Sequence, residues 1–151
     1  MAARKKSPAG TTTDAVPVVA TPSEIWKSEP DDHDYPAAQS YLSLLTTAAN
    51  AKHIAQQLKK SPIELHPAKD VLRAAELPLL PESDPSVARD LAKVKAGDRL
   101  SPVLVVRGDA VTGIRAVIAD GYHRVCASYN LSENEQIPCR LIDYPGTSGK
   151  K

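Results

Sequence analysis

At 151 residues the chain has the length of one modest domain, and its apolar residues, 42% of the total, never form a run near the roughly 18–20 needed for a membrane-spanning helix. The net charge of +1 is unevenly spread: Arg4, Lys5, Lys6, Lys150 and Lys151 lie in the tails, leaving 14 basic against 18 acidic residues elsewhere. An acidic body argues against strong non-specific nucleic-acid binding, which needs a basic face, and leaves the tails as solubilising segments or a weak electrostatic contact.

Residues 1–22, rich in Ala, Ser, Thr, Pro and Lys without periodicity, are expected to form a disordered basic arm, because they cannot bury enough apolar surface to offset the entropy of ordering. Met1 to Lys6 is basic but lacks the apolar stretch of a secretory signal, so the expected location is the cytoplasm. Residues 23–60 are expected to form a helical extension. Within it Ile25-Trp26-Lys27 forms a short strand or anchoring turn, and Pro30 to Pro36 a polar loop. Leu44, Ala48, Ala51, Ala55 and Leu58 recur at spacings of four and three, with Tyr41 and Leu45 widening the stripe, and predict one helix from about Ala37 to Lys59.

From residue 61 to 145 a compact domain is expected. Ile63 to Leu65 reads as a brief strand, Ala68 to Ala75 as a short helix and Leu77 to Pro81 as a packed loop. Asp84-Pro85 supplies a cap and first turn; Val87, Leu91 and Val94 mark one helical face, and Gly97 ends it. The β-branched run Val103 to Val106 is a strand, paired by hairpin logic with Ile114 to Ala119. Tyr122 to Tyr129 is a helix with Tyr122, Val125, Cys126 and Tyr129 on one side, Pro138 to Ile142 a last strand, and 146–151 a flexible tail. The predicted class is α+β: a mixed sheet with flanking helices, preceded by a helical segment. Cys126 and Cys139 have no zinc-like spacing and are expected to be reduced core residues.

The sharpest local signal is Ile118-Ala119-Asp120-Gly121-Tyr122-His123-Arg124. A strand ends, glycine permits a tight turn, and a helix begins whose first N–H groups have no partner inside it. With the helix dipole, an imidazole and a guanidinium nearby, that junction suits an anion, above all a phosphate. Asp120, Gly121, His123 and Arg124 are the candidate binding residues. Asp120 would repel a bare phosphate, yet it could orient His123, hold a magnesium ion or cap the helix. A plain turn followed by a solvated helix start would use the same four residues. Asp31-Asp32-His33-Asp34 offers metal-ligand chemistry, but a solvated acidic loop at a helix start is the expected reading, and no metal site is assigned. Lys69 and Arg73, one turn apart, either face the anion site or form a solvated helix face; His53 and His66 are expected to be surface or packing residues.

These residues and their order, Asp84-Pro85, then Leu100-Ser101-Pro102-Val103-Leu104-Val105-Val106, then Ile118 to Ala127, resemble the ParB/sulfiredoxin superfamily over roughly residues 61–143. The resemblance implies ATP or another nucleotide, with magnesium, at the Gly-x-His-Arg turn. Sulfiredoxins carry a cysteine where this chain has Tyr122, which speaks against their thiol chemistry. Partition proteins that bind CTP carry glutamate and arginine where this chain has Tyr122 and Cys126, and too few residues follow 143 for their DNA-binding helices. Free-serine kinases read Asp-Gly-His-His-Arg and differ here at Tyr122; their separate glutamate base has no assigned counterpart. The lysine and serine with which sulfiredoxins hold nucleotide match Val87 and Asp90, with Arg89 and Lys93 nearby as substitutes. The expected function is therefore nucleotide or phosphate binding, with phosphoryl transfer as the reaction class the fold suggests. The alternative is a non-catalytic DNA-associated or protein-interaction module.

Overall fold

A computed structural model describes residues 23–144; the basic arm expected at 1–22 and the tail expected at 146–151 lie outside the described residues. The elements in chain order are α1 (Asp34–Leu42), α2 (Ala48–Lys60), β1 (Ile63–Pro67), α3 (Ala68–Ala75), α4 (Pro85–Lys95), β2 (Val103–Arg107), β3 (Val117–Asp120), α5 (Tyr122–Leu131) and β4 (Gln136–Asp143). The strands form one mixed sheet in the order β1-β4-β2-β3, in which β4 runs antiparallel to β1 and parallel to β2, and β3 is antiparallel to β2. The class is α+β, as the sequence predicts. No helix among the described residues is long and apolar enough to cross a membrane.

The sheet is covered on both faces, and the period-two alternation of the strands divides its side chains between two cores. Val103 and Val105 join Ile118, Ile137 and Cys139 against α3, α4 and α5, while Leu104, Val106 and Ala119 face Ala38, Leu42, Ile54 and Leu58 of α1 and α2. This explains why Val103–Val106 is apolar at every position. It also corrects the boundary expected at residue 61: residues 23–60 are no detached preface, since α1 and α2 supply one whole layer. Trp26 is buried as well, and the backbone on either side of it bonds Leu100 through Lys27 N–H to Leu100 C=O and Leu100 N–H to Ile25 C=O.

Two further expectations are corrected. The single helix from Ala37 to Lys59 is two helices packed on each other, with the chain turning between Ser43 and Thr47. Thr47 adopts extended backbone and its hydroxyl caps α2, accepting from the Asn50 N–H at 3.1 Å. The apolar stripe is real only from Ala51 onward; Leu44 is 81% exposed. The helix begins at Asp34, and Pro36 is accommodated in its first turn, where no intrahelical N–H is needed. In β3, Ile114 makes only an isolated bridge to Asp109, and the Ala116 N–H bonds the Ala74 carbonyl of α3, so regular pairing starts at Val117 rather than Ile114.

Candidate functional site

The end of β3, the start of α5, the segment 27–34, helix α4 and the loop before β2 enclose a cleft of about 340 Å³. Its floor is set by backbone geometry. The β2–β3 register jumps, Leu104 pairing with Asp120 and Val105 with Ile118, so Ala119 is an extra residue that bends β3 next to the site. Gly121 follows at φ +112°, a conformation that side chains rarely adopt. A Cβ there would lie 2.8 Å from the Arg124 guanidinium and 3.0 Å from Val103, so torsion favours glycine and a side chain would press Arg124 out of place. The helix opens with the Val125 N–H on the Gly121 carbonyl, which leaves the N–H groups of Tyr122, His123 and Arg124 without an acceptor among the described residues.

Arg124 is not an exposed phosphate fork, as the sequence suggests, but the centre of an internal network. Its Nη2 donates to Asp120 Oδ2 at 2.7 Å and its Nη1 to Asp34 Oδ2 at 3.3 Å. Asp34 is 3% exposed and also accepts from the Ser101 hydroxyl at 2.5 Å, whose oxygen in turn accepts the Asp31 N–H at 3.0 Å. Asp120 therefore engages Arg124 rather than His123, which is exposed and lies against the Tyr122 ring with centroids 5.4 Å apart. Burial pushes the Asp120 carboxyl above its ordinary range; Arg124 pulls it down, but the neighbouring charge of Asp34 adds to burial, as expected of two carboxylates sharing one guanidinium. Asp31 pairs with Lys27 at 2.7 Å, and that bond holds its carboxyl below the usual range.

Asp31, His33 and Asp34 bring ligand atoms within 4.8 Å of one another, close enough for a divalent cation. Asp31 and Asp34 already bind Lys27 and Arg124, so a metal would compete with ion pairs here. The expected solvated loop is thus corrected, because its last acid is buried and structural. Lys93 and Arg99 also line the cleft, and neither has an ion-pair or hydrogen-bond partner among the described residues. Asp90 lines it too, 8% exposed and without a donor. Burial raises its carboxyl above the ordinary range against the opposing charges of Lys93, Arg124, His123 and Arg89.

Other expectations resolve away from the cleft. Lys69 and Arg73 line a separate recess on α3, and Arg73 pairs with Asp70 at 3.0 Å. His66 pairs with Glu64 at 3.1 Å. The Tyr122 hydroxyl donates to the Pro78 carbonyl at 2.6 Å, tying it to the 77–81 loop. Cys126 and Cys139 are both buried; burial raises both thiols, Cys139 to about 12, so neither is an activated nucleophile. A second cavity of about 220 Å³ lies among Val71, Ala74, Val105, Cys139 and Leu141, with His66, Asp70 and Arg107 also lining it, and is more apolar than the first.

Sequence reasoning finds Asp120 to Arg124 but misses Lys27, Asp34, Ser101 and Arg99 as their companions. Asp34 and Arg124 stand 90 positions apart, and no local pattern links them. Neither family models, nor curated proteins, nor solved structures give a match to this chain.

Proposed function

We propose that the chain is a small domain of ParB/sulfiredoxin type that binds a phosphate-bearing ligand, a nucleotide with magnesium foremost, in the cleft at Asp120-Gly121-Tyr122-His123-Arg124. The observation that carries this reading is the set of hydrogen-bond donors left after internal pairing. Lys27 and Asp31 neutralise one another, and Arg124 is shared by Asp34 and Asp120, one guanidinium between two carboxylates. What remains lining the cleft is Lys93, Arg99, His123 and the first N–H groups of α5, against Asp90 and the second carboxylate held by Arg124. Such a residue of donors suits phosphate oxygens. In this reading Gly121 allows backbone approach, His123, Lys93 and Arg99 contact phosphates, and Arg124 with Asp120 holds the wall in shape. Phosphoryl transfer, which depends mainly on positioning and charge stabilisation, is the reaction class that would follow.

Calorimetric titration with ATP, ADP and CTP in magnesium tests it. Binding is expected, and replacing Lys93 and Arg99 together by alanine should weaken it about ten-fold or more, two charge-assisted contacts being removed. Absence of binding by all three nucleotides, or equal binding by the double variant, would sink the reading.

A second reading, a non-catalytic interaction module, has one observation in its favour: the α1–α2 connection exposes Tyr41, Leu44 and Leu45 together. A sedimentation coefficient that rises with concentration, and stops rising in Leu44→Glu, would support it.

A further inference from the structure

We propose that Asp90 recognises a hydroxyl group of the ligand, so that the cleft takes a phosphate ester of a sugar rather than phosphate or polyphosphate alone. This rests on the phosphate-binding reading above and narrows its ligand class.

Every other acid in the cleft is engaged: Asp31 by Lys27, Asp34 by Ser101 and Arg124, Asp120 by Arg124. Asp90 alone lines the cleft at 8% exposure with no hydrogen-bond or ion-pair partner among the described residues. Buried carboxylates are almost always satisfied, because leaving one bare forfeits its solvation without return. Packing does not account for it either. Val87, one turn earlier on α4, is fully buried and fills the core, a role an aliphatic side chain would serve at position 90 as well. Asp90 is thus an acceptor that none of the described residues satisfies.

The identity of that donor follows from what else is there. Lys93, Arg99, His123 and the opening amides of α5 are all donors, and they fit the oxygens of a phosphate. A carboxylate beside them only repels such oxygens. A ligand whose phosphate sits at the start of α5 is tolerated only if it turns a hydrogen-bond donor toward α4. A neutral hydroxyl does this. Burial raises this carboxyl despite Lys93 and Arg89 on its own helix and His123 and Arg124 on α5, and a hydroxyl, which both donates and accepts, pairs with it in either protonation state. Ribose in a nucleotide and the ring of a free sugar phosphate both offer such hydroxyls.

Calorimetry on the full chain with ATP, dideoxy-ATP, ribose phosphate and tripolyphosphate, at one magnesium concentration, separates the cases. The wild type should prefer ATP over dideoxy-ATP by about ten-fold or more, the worth of a hydrogen bond to a carboxylate. Asp90→Ala should erase that preference and leave tripolyphosphate binding unchanged or tighter, while Asp90→Asn, which keeps an acceptor oxygen of the same shape, retains part of it. Binding of ribose phosphate without ATP, lost in Asp90→Ala, would support the inference with a free sugar phosphate as the source. Equal affinity of the wild type for ATP and dideoxy-ATP, with ribose phosphate indifferent to Asp90→Ala and Asp90→Asn, would overturn the inference and leave the phosphate site standing. If none of the four probes binds, the phosphate reading falls and takes this inference with it.

Discussion

Arg124 holds two buried or half-buried carboxylates, and its side chain is 14% exposed. Arg124→Ala should therefore act first on stability: with Asp34 and Asp120 left uncompensated, the loss is about 3–5 kcal/mol, measurable by urea denaturation. Asp90 works in the opposite direction. Its folded-state pKa is raised, so the folded protein holds a proton that the unfolded chain has released, and stability falls as pH rises from the ordinary carboxylate value of 3.8 through the raised one. Asp90→Asn should remove that decline and leave the unliganded protein at least as stable at neutral pH, because it takes away the charge that burial disfavours. A melting temperature that drops in Asp90→Asn would argue against this. Residue by residue, the sequence discloses the glycine-led turn and its histidine and arginine, since these are contiguous. It does not disclose that the arginine is already taken, because Asp34 and Ser101 reach it from elements distant in the chain.

Among the elements, the β3–α5 junction depends most on one residue. Gly121→Ala must fit a Cβ at φ +112° within 2.8 Å of Arg124, and should cost about 2 kcal/mol or more in the same denaturation assay while disturbing the ion pair with Asp120. A variant as stable as the wild type would mean that the junction relaxes freely. The short helices α3 and α4 were legible from periodicity, capping and the punctuation of Pro85 and Gly97. The break between α1 and α2 was not: Leu44 and Ala48 continue the helical spacing by coincidence, and the stop comes from Thr47 capping a new helix and from the two helices folding together. Likewise Ile114 looks like strand, but Ala116 is diverted to the Ala74 carbonyl.

At the scale of the whole molecule, the layer beyond the sheet decides where the folding unit begins. A fragment from residue 61 onward would expose Leu104, Val106 and Ala119, all buried beneath α1 and α2, and would lose Asp34 from the cleft. It is expected to show a collapsed, poorly dispersed amide NMR spectrum, whereas the full chain shows a folded one. A well-dispersed spectrum from the fragment would overturn this. The α+β class could be read from the order of strands and helices, because each strand's apolar pattern is local. The two-sided cover could not, because nothing in residues 23–60 announces that their apolar stripe meets β2 and β3.

The lone tryptophan carries an experimental consequence. Trp26 is 2% exposed and its indole N–H donates to Glu135 at 2.9 Å, while the Leu100 backbone beside it leads directly into Ser101. Emission excited at the red edge of the indole band, beyond the absorption of the five tyrosines, therefore originates at one place, where the leading segment is laced to the rest of the protein. A blue-shifted signal that turns red before the far-ultraviolet dichroism collapses would time the unlacing of that segment separately from global melting, with no label added.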